Sequence, residues 1–464
     1  MASEMGKVQN GSMRVADLSV LAEYASVLDA TALPSHVLKT AKACLLYGLA
    51  VGIATKRAKS ALAAFEASKL EGDGSATSTR LIDGKRISHG NAAFANAVLL
   101  SGRAQGDSHP CGHLGGVIIP SALAAAEDAR ASGARLLSAM IAGYEVALRI
   151  GRDHAADLSN RGFRTTPCYG VFGSVVAAGR IKNFGPEQMT HAIGLAANFA
   201  GGLREYVDAG TEDSPFQAGF AARNGLYAAD IVACGITGAP SALHGNAGFY
   251  QAFGGPAVDY GRRLTDGLGS HYEFTNVTFK EYPVCQFLRG IIEGMSILRT
   301  KAGNSSPMAV ELRMNPFEAN FIGISYYGPF TSATQAVMSA AFCAALAWET
   351  GTASFKDLRD FDNKRVLDLV GRTRVIADDS CRRYEPRLSV TLDDGSTLAW
   401  EEKTGDSAYQ ISWESAERMA YALCDEVEVP RRLAQSLVAQ VSSIDELSGV
   451  EKLISAACAA TLAK

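Results

Sequence analysis

What the 464-residue chain lacks removes several classes of function at once. Its 44 basic residues are outnumbered by 48 acidic ones, so no cationic stripe is available to track a nucleic-acid backbone. No run approaches the roughly 18 uninterrupted apolar residues of a bilayer-crossing helix, and no succession of basic, apolar and small residues marks a leader. A cytoplasmic protein with no membrane or nucleic-acid partner is expected. The nine cysteines (44, 111, 168, 234, 285, 343, 381, 424 and 458) are scattered, with no Cys-x-x-Cys pair, so reduced thiols are expected in place of a disulfide framework or a zinc ribbon. There is no Walker A loop, no Gly-x-Gly-x-x-Gly behind a strand and no Gly-x-Ser-x-Gly elbow, which weakens the nucleotide-binding and serine-hydrolase readings. No internal repeat or low-complexity tract stands out.

What the chain has in quantity is small and aliphatic residues. It is 47% hydrophobic yet only 8% aromatic, with 46 glycines, a mixture suited to helices that approach closely. The length exceeds one ordinary core, so two domains are expected. Apolar periodicity predicts helices near 16–29, 35–53, 59–68, 90–102, 117–131, 134–151, 170–184, 187–200 and 217–234. The pattern changes near residue 275. Thr278 to Val284 reads as a strand, 286–300 as a helix, 308–314 as a strand and 331–350 as a helix. Two β-runs follow, Thr373–Ala377 and Leu388–Thr404, the second turning at Asp393-Asp394-Gly395-Ser396. After about 408 helices return, one opened by Pro430. The reading is a mainly α protein, with a large helical domain from both chain ends (13–275 plus 408–464) and an inserted smaller α+β lid domain (276–407). The first dozen residues read as a loose tail.

Chemistry concentrates in Gly106–Pro120, GDSHPCGHLGGVIIP. Asp107, His109, Cys111 and His113 fall within seven residues, among Gly106, Pro110, Gly112, Gly115 and Gly116, and the segment runs into a helix. This predicts a tight loop at a helix N-terminus, where free N–H groups and the helix dipole offer a seat for a carboxylate or phosphate. A lone histidine is as readily a core residue bonded to a carbonyl; two histidines and an aspartate in one glycine-rich loop favour a site. His109 and His113 have metal-ligand spacing only if helical, and Pro110 and Gly112 prevent that, so no metal is expected.

Three further stretches carry candidates. In NRGFRTTPCYGVFG (160–173), Arg164 is either a surface charge or an inward guanidinium, and its apolar flanks favour the second. In DSPFQAGFAARNG (213–225), Arg223 lies on an otherwise small, apolar helix and needs a structural partner or an anion. In FKEYPVCQ (279–286), which also holds Cys285, Lys280 sits between apolar neighbours. It is either an ordinary edge-strand lysine or a desolvated one whose lowered pKa suits proton transfer.

Five blocks, HPCGHLGGVIIPSALAAAE, NRGFRTTPCYGVFGSVVAAG, FQAGFAARNGLYAADI, GNAGFYQAF and FKEYP, occur in this order between residues 109 and 283. Through them the sequence resembles the MmgE/PrpD family, which includes 2-methylcitrate dehydratase, cis-aconitate decarboxylase and iminodisuccinate epimerase. The resemblance implies a helical domain with an α+β lid, a homodimer, and neither metal nor organic cofactor. His113 and Lys280 stand where the family has its catalytic histidine and lysine. Arg103 replaces an aspartate usual before the histidine, with Asp107 closer in. Arg164 replaces a second histidine, Ser214 a lysine, and Phe342 a tyrosine of the lid helix. Lost groups for a departing hydroxyl, and gained arginines able to fork carboxylates, make an epimerase of a polycarboxylic acid of the iminodisuccinate type the leading expectation. A hydro-lyase of the 2-methylcitrate dehydratase type or a decarboxylase of the cis-aconitate type is the alternative, and a non-catalytic polycarboxylate binder ranks last. Lys280, His113 and Asp107 are the expected catalytic groups, with Arg103, His109, Arg164, Arg223 and Cys285 as substrate contacts.

Overall fold

Close helix packing follows directly from the small residues. In the computed structural model, which describes residues 17–70, 76–254, 259–405 and 409–463, six helices frame the site: α1 (Ser35–Thr55), α2 (His89–Ser101), α3 (Gly115–Asp128), α4 (Gly133–Gly151), α5 (Thr165–Ile181) and α6 (Ser214–Ala233). Where α4 crosses α5, a Cβ on Gly143 would lie 2.6 Å from the carbonyl oxygen of Gly173, so only glycine permits this approach. α1 is long and apolar enough to cross a membrane, but 72% of its apolar window is buried against the rest of the molecule. Packing against neighbouring helices accounts for its composition. The expected N-terminal tail lies outside the described residues.

The protein is mainly α, and the described residues form two large hydrophobic cores beside a small cluster of Ala64, Phe94, Ala95 and Val98. One joins residues 18–279 to residues 416–460, drawing on both chain ends; the other spans 284–392. Short strands punctuate the helical part. β1 (Ser78–Arg80) and β2 (Lys85–Ile87) form a hairpin, and β3 (Asp107–Ser108) pairs antiparallel with β4 (Thr278–Phe279). The second core lies beneath a four-stranded sheet of β5 (Pro307–Met314), β6 (Thr373–Ala377), β7 (Arg387–Leu392) and β8 (Thr397–Glu401), in the order β6-β5-β7-β8. β5 and β6 run parallel, and the other pairs are antiparallel. Arg289–Ala302 and Ala340–Thr350 are the main helices under it.

Three elements differ from expectation. The strand expected over 278–284 stops at Phe279, because side chains take over the following carbonyls: Tyr47 Oη donates to Lys280 O at 2.7 Å, and Gln105 Nε2 to Glu281 O at 2.9 Å. The helix expected over 331–350 is broken into Ala333–Met338 and Ala340–Thr350 by Ser339, whose hydroxyl accepts the Phe342 N–H as an N-cap. The β1–β2 hairpin lies between the helices expected over 59–68 and 90–102, where no strand was expected; its signal is Asp83-Gly84, with Gly84 at φ +70°.

Candidate active site

The β3–β4 pairing places Asp107 opposite Phe279 and Ser108 opposite Thr278, and so brings the residues that follow each strand together. Lys280 Nζ lies 3.3 Å from His113 Nε2 and donates to the carbonyl of Ala104 at 3.1 Å. His113 Nδ1 is 2.8 Å from the carbonyl oxygen of Asp107, which can only accept, so Nδ1 carries the hydrogen and Nε2 turns its lone pair to Lys280. Burial, reinforced by the Lys280 charge, holds His113 well below the usual imidazole range. Burial also brings Lys280 down to about 8, with Arg164 pushing the same way. A neutral base therefore touches a cation that releases its proton near neutral pH.

The loop between the strand and helix is rigid. His109 and Gly112 exchange backbone bonds of 3.0 and 2.8 Å, and Gly112 takes φ +114° with the Thr166 backbone nitrogen 2.8 Å from where a Cβ would stand. His109 Nδ1 accepts the Cys111 N–H, which leaves Nε2 facing Glu273 at 3.4 Å. That bond is the main reason Glu273 is held down to about 2. His109 lines the cavity but is fixed by these partners.

Asp107 departs from its expected role. It is buried behind the cavity wall, accepting the Gly115 N–H at 3.0 Å and the Tyr144 hydroxyl at 2.7 Å. The free helix N-terminus expected to seat a ligand is thus occupied by the chain's own carboxylate. Burial outweighs these bonds and pushes Asp107 up to about 6.

His113 and Lys280 open on a cavity of about 490 Å³ whose walls come from both cores. Arg164, the N-cap residue of α5, reaches the cavity with its guanidinium donating to the carbonyl of Ser214. Cys285 forms part of the wall, its thiol pushed up by burial. Arg103 also borders the cavity, but its guanidinium is committed to Glu426 at 2.7 Å and Ala54 O at 3.2 Å, so it is not a free carboxylate fork. Arg223 is not among the lining residues; it lies over the ring of Phe220, 5.0 Å from its centroid. Phe342 is fully buried in the second core, packed on Phe330, and does not line the cavity.

Three lining arginines escape the sequence reading. Arg204 is set by the bonding of Arg164 N–H to Gly202 O and Arg204 N–H to Gly162 O, both at 2.9 Å, and its side chain donates to Ser159 Oγ at 2.5 Å. The Gly201-Gly202 pair just before it was the available local signal. Arg359 and Arg383 arrive from distant loops of the second core, with no comparable signal. Arg383 pairs with Glu318 at 3.0 Å. Arg164, Arg204 and Arg359 have no carboxylate within ion-pair distance among the described residues, and burial, with Arg103 beside it, brings Arg359 down to about 10. The lining carboxylate Glu212 is taken by Lys59 at 2.8 Å. The walls are therefore set for an anion. Among the described residues no group of three or more His, Cys, Asp or Glu side chains is placed to hold a metal.

The sequence profile of the MmgE/PrpD N-terminal domain matches residues 19–260. The chain is 27% identical to a cis-aconitate decarboxylase-like protein of Aspergillus oryzae over 60% of this chain and 61% of that one. It is 28% identical to a cis-aconitate decarboxylase of Aspergillus terreus over 61% and 60% of the two chains. The figure is again 28% for the cis-aconitate decarboxylase of Homo sapiens, over 41% and 40%. The chain thus spans about three fifths or less of the length of these curated relatives.

Proposed function

The chain belongs to the MmgE/PrpD family, and from that premise we propose that it is a lyase that decarboxylates an unsaturated polycarboxylate of the cis-aconitate type. The observation that carries this reading is the 3.3 Å contact of Lys280 Nζ with His113 Nε2 on one wall of an arginine-lined cavity. Arg164, Arg204 and Arg359 hold the substrate's carboxylates. The bond to one carboxylate breaks, carbon dioxide leaves, and the electron pair spreads into the remaining conjugated acid. Lys280 gives its proton to the carbon, and the amine regains one from water while His113 keeps Nζ aligned. The electron sink is the substrate itself, so the reading calls for neither metal nor organic cofactor. A homodimer in the cytoplasm, with the part built on the second core acting as a lid over residues 13–275 and 408–464, belongs to the same proposal.

The geometry favours this lyase over the epimerase expected from the sequence. Inversion at a carbon removes a proton from one face and returns it to the other, whereas two groups 3.3 Å apart serve a single face. Decarboxylation needs only one proton delivered. Incubation with cis-aconitate in heavy water should release carbon dioxide and leave one deuterium in each unsaturated diacid. Proton exchange on a succinate-type acid without carbon dioxide would return the function to an epimerase, and loss of water from a citrate-type acid would make it a dehydratase.

A further inference from the structure

The cavity is larger, and on one side more apolar, than a small polycarboxylate requires. Pockets of about 300–1,000 Å³ take drug-sized ligands, and a six-carbon acid is far smaller than the 490 Å³ available here. Lys280, His113 and Arg164 are among its polar lining residues. The lining also includes the apolar side chains of Phe287, Phe317, Phe321, Val337 and Met338. The three phenyl rings pack edge to face or tilted, with Phe287 5.0 Å from Phe321 and Phe317 5.9 Å from Phe321, measured between centroids. Phe317 keeps 38% of its surface exposed and Phe321 is half-buried, whereas Phe287 is buried. Arg204 lies 4.2 Å from the Phe321 centroid and Arg383 4.3 Å from that of Phe317, so guanidinium groups edge this apolar compartment. A carboxylate gains nothing from aromatic carbon, and a substrate made only of carboxylates leaves this wall wetted. An apolar group attached to the acid removes it from water.

We propose that the substrate is a polycarboxylate bearing an apolar substituent of several carbons, which lies against Phe287, Phe317 and Phe321 while its carboxylates meet Arg164 and Arg204. The inference rests on the reading of this cavity as a polycarboxylate site and specifies its ligand further. Non-reacting diacids separate the two. Calorimetric titration of the whole protein with succinate and with 2-hexylsuccinate should show the alkyl acid binding at least about tenfold tighter, since each buried methylene is worth roughly fourfold. The ratio of the two affinities should shrink at least about threefold in Phe321→Ala and in Met338→Ala, two variants at separate points of the wall. An affinity ratio within about twofold of unity, while succinate itself binds, overturns this inference and leaves the polycarboxylate reading standing. A ratio unchanged in both variants also overturns it, because the substituent then lies elsewhere. Failure of both acids to bind overturns the polycarboxylate reading and this inference with it.

Discussion

At Lys280 the fold sets the acidity of a single group by withholding water. Burial penalises the ammonium form, and the pKa of about 8 leaves the side chain charged at neutral pH but ready to lose its proton. If Lys280 is the proton donor, turnover must fall as pH rises through about 8, roughly tenfold per unit above it, where an ordinary lysine would hold its proton to about 10.4. His113, held well below its usual range, places its own charge change below about 6.5, so an unperturbed imidazole break is not expected. Lys280→Ala should lose at least about two orders of magnitude in kcat while folding normally. A folded variant with near-normal turnover, or a wild-type profile flat to pH 10, would remove Lys280 from the proton transfer. This pair was legible in the sequence because each residue sits in its own motif. The place of Asp107 behind the cavity wall was not legible, because a carboxylate eight positions before the helix start it caps looks the same in sequence as one facing substrate.

Helix α3 shows how such a carboxylate acts through an element. Asp107 satisfies the Gly115 N–H at the start of α3 and ties that end to Tyr144 on α4, which fixes the loop carrying His113. Its folded pKa of about 6 is raised above the reference 3.8. The folded state therefore binds the proton more tightly, and the group's contribution to stability is full below about 3.8 and lost as pH rises through about 6. Asp107→Asn keeps an acceptor for both donors without a charge. Its melting temperature relative to wild type should improve as pH rises from 4 to 8, and its activity should persist. Asp107→Ala leaves both donors unpaired and should cost about 1–3 kcal/mol. Loss of turnover in a fully stable Asp107→Asn variant would restore the catalytic role expected from the sequence. Element boundaries were legible where periodicity was long, as in α4, and failed where one side chain decided them. Ser339 breaks a continuous apolar helical pattern by capping its second half, and Tyr47 and Gln105 end β4 from remote positions in the chain.

At the scale of the molecule, the two cores meet around a cavity rich in arginine, only part of whose charge is paired by the chain's own carboxylates. Arg164 and Arg204 belong to the helical side, Arg359 and Arg383 to the side with the sheet, and all four line one cavity. A pattern read along the chain places the first pair near a motif but cannot bring the second to it, because that proximity exists only once both cores have formed. Arg164, Arg204 and Arg359, gathered without a paired carboxylate among the described residues, oppose the folded state by mutual repulsion. A ligand with several carboxylates should therefore tie the two sides together as well as fill the site. Ligand that binds only the folded form adds about 2.7 kcal/mol at one hundred times its Kd. Tricarballylate, a saturated tricarboxylate without the conjugated double bond that would accept the electron pair, should raise the melting temperature with its concentration, whereas acetate at the same ionic strength should not. The effect should weaken toward 1 M salt, where charges are screened beyond about 3 Å unless shielded from solvent. Arg164→Ala should reduce the tricarballylate shift more than Arg103→Ala reduces it, since Arg103 is already held by Glu426. Equal shifts from acetate and tricarballylate would show that general ion binding, and not a polycarboxylate bridging the two cores, stabilises the protein.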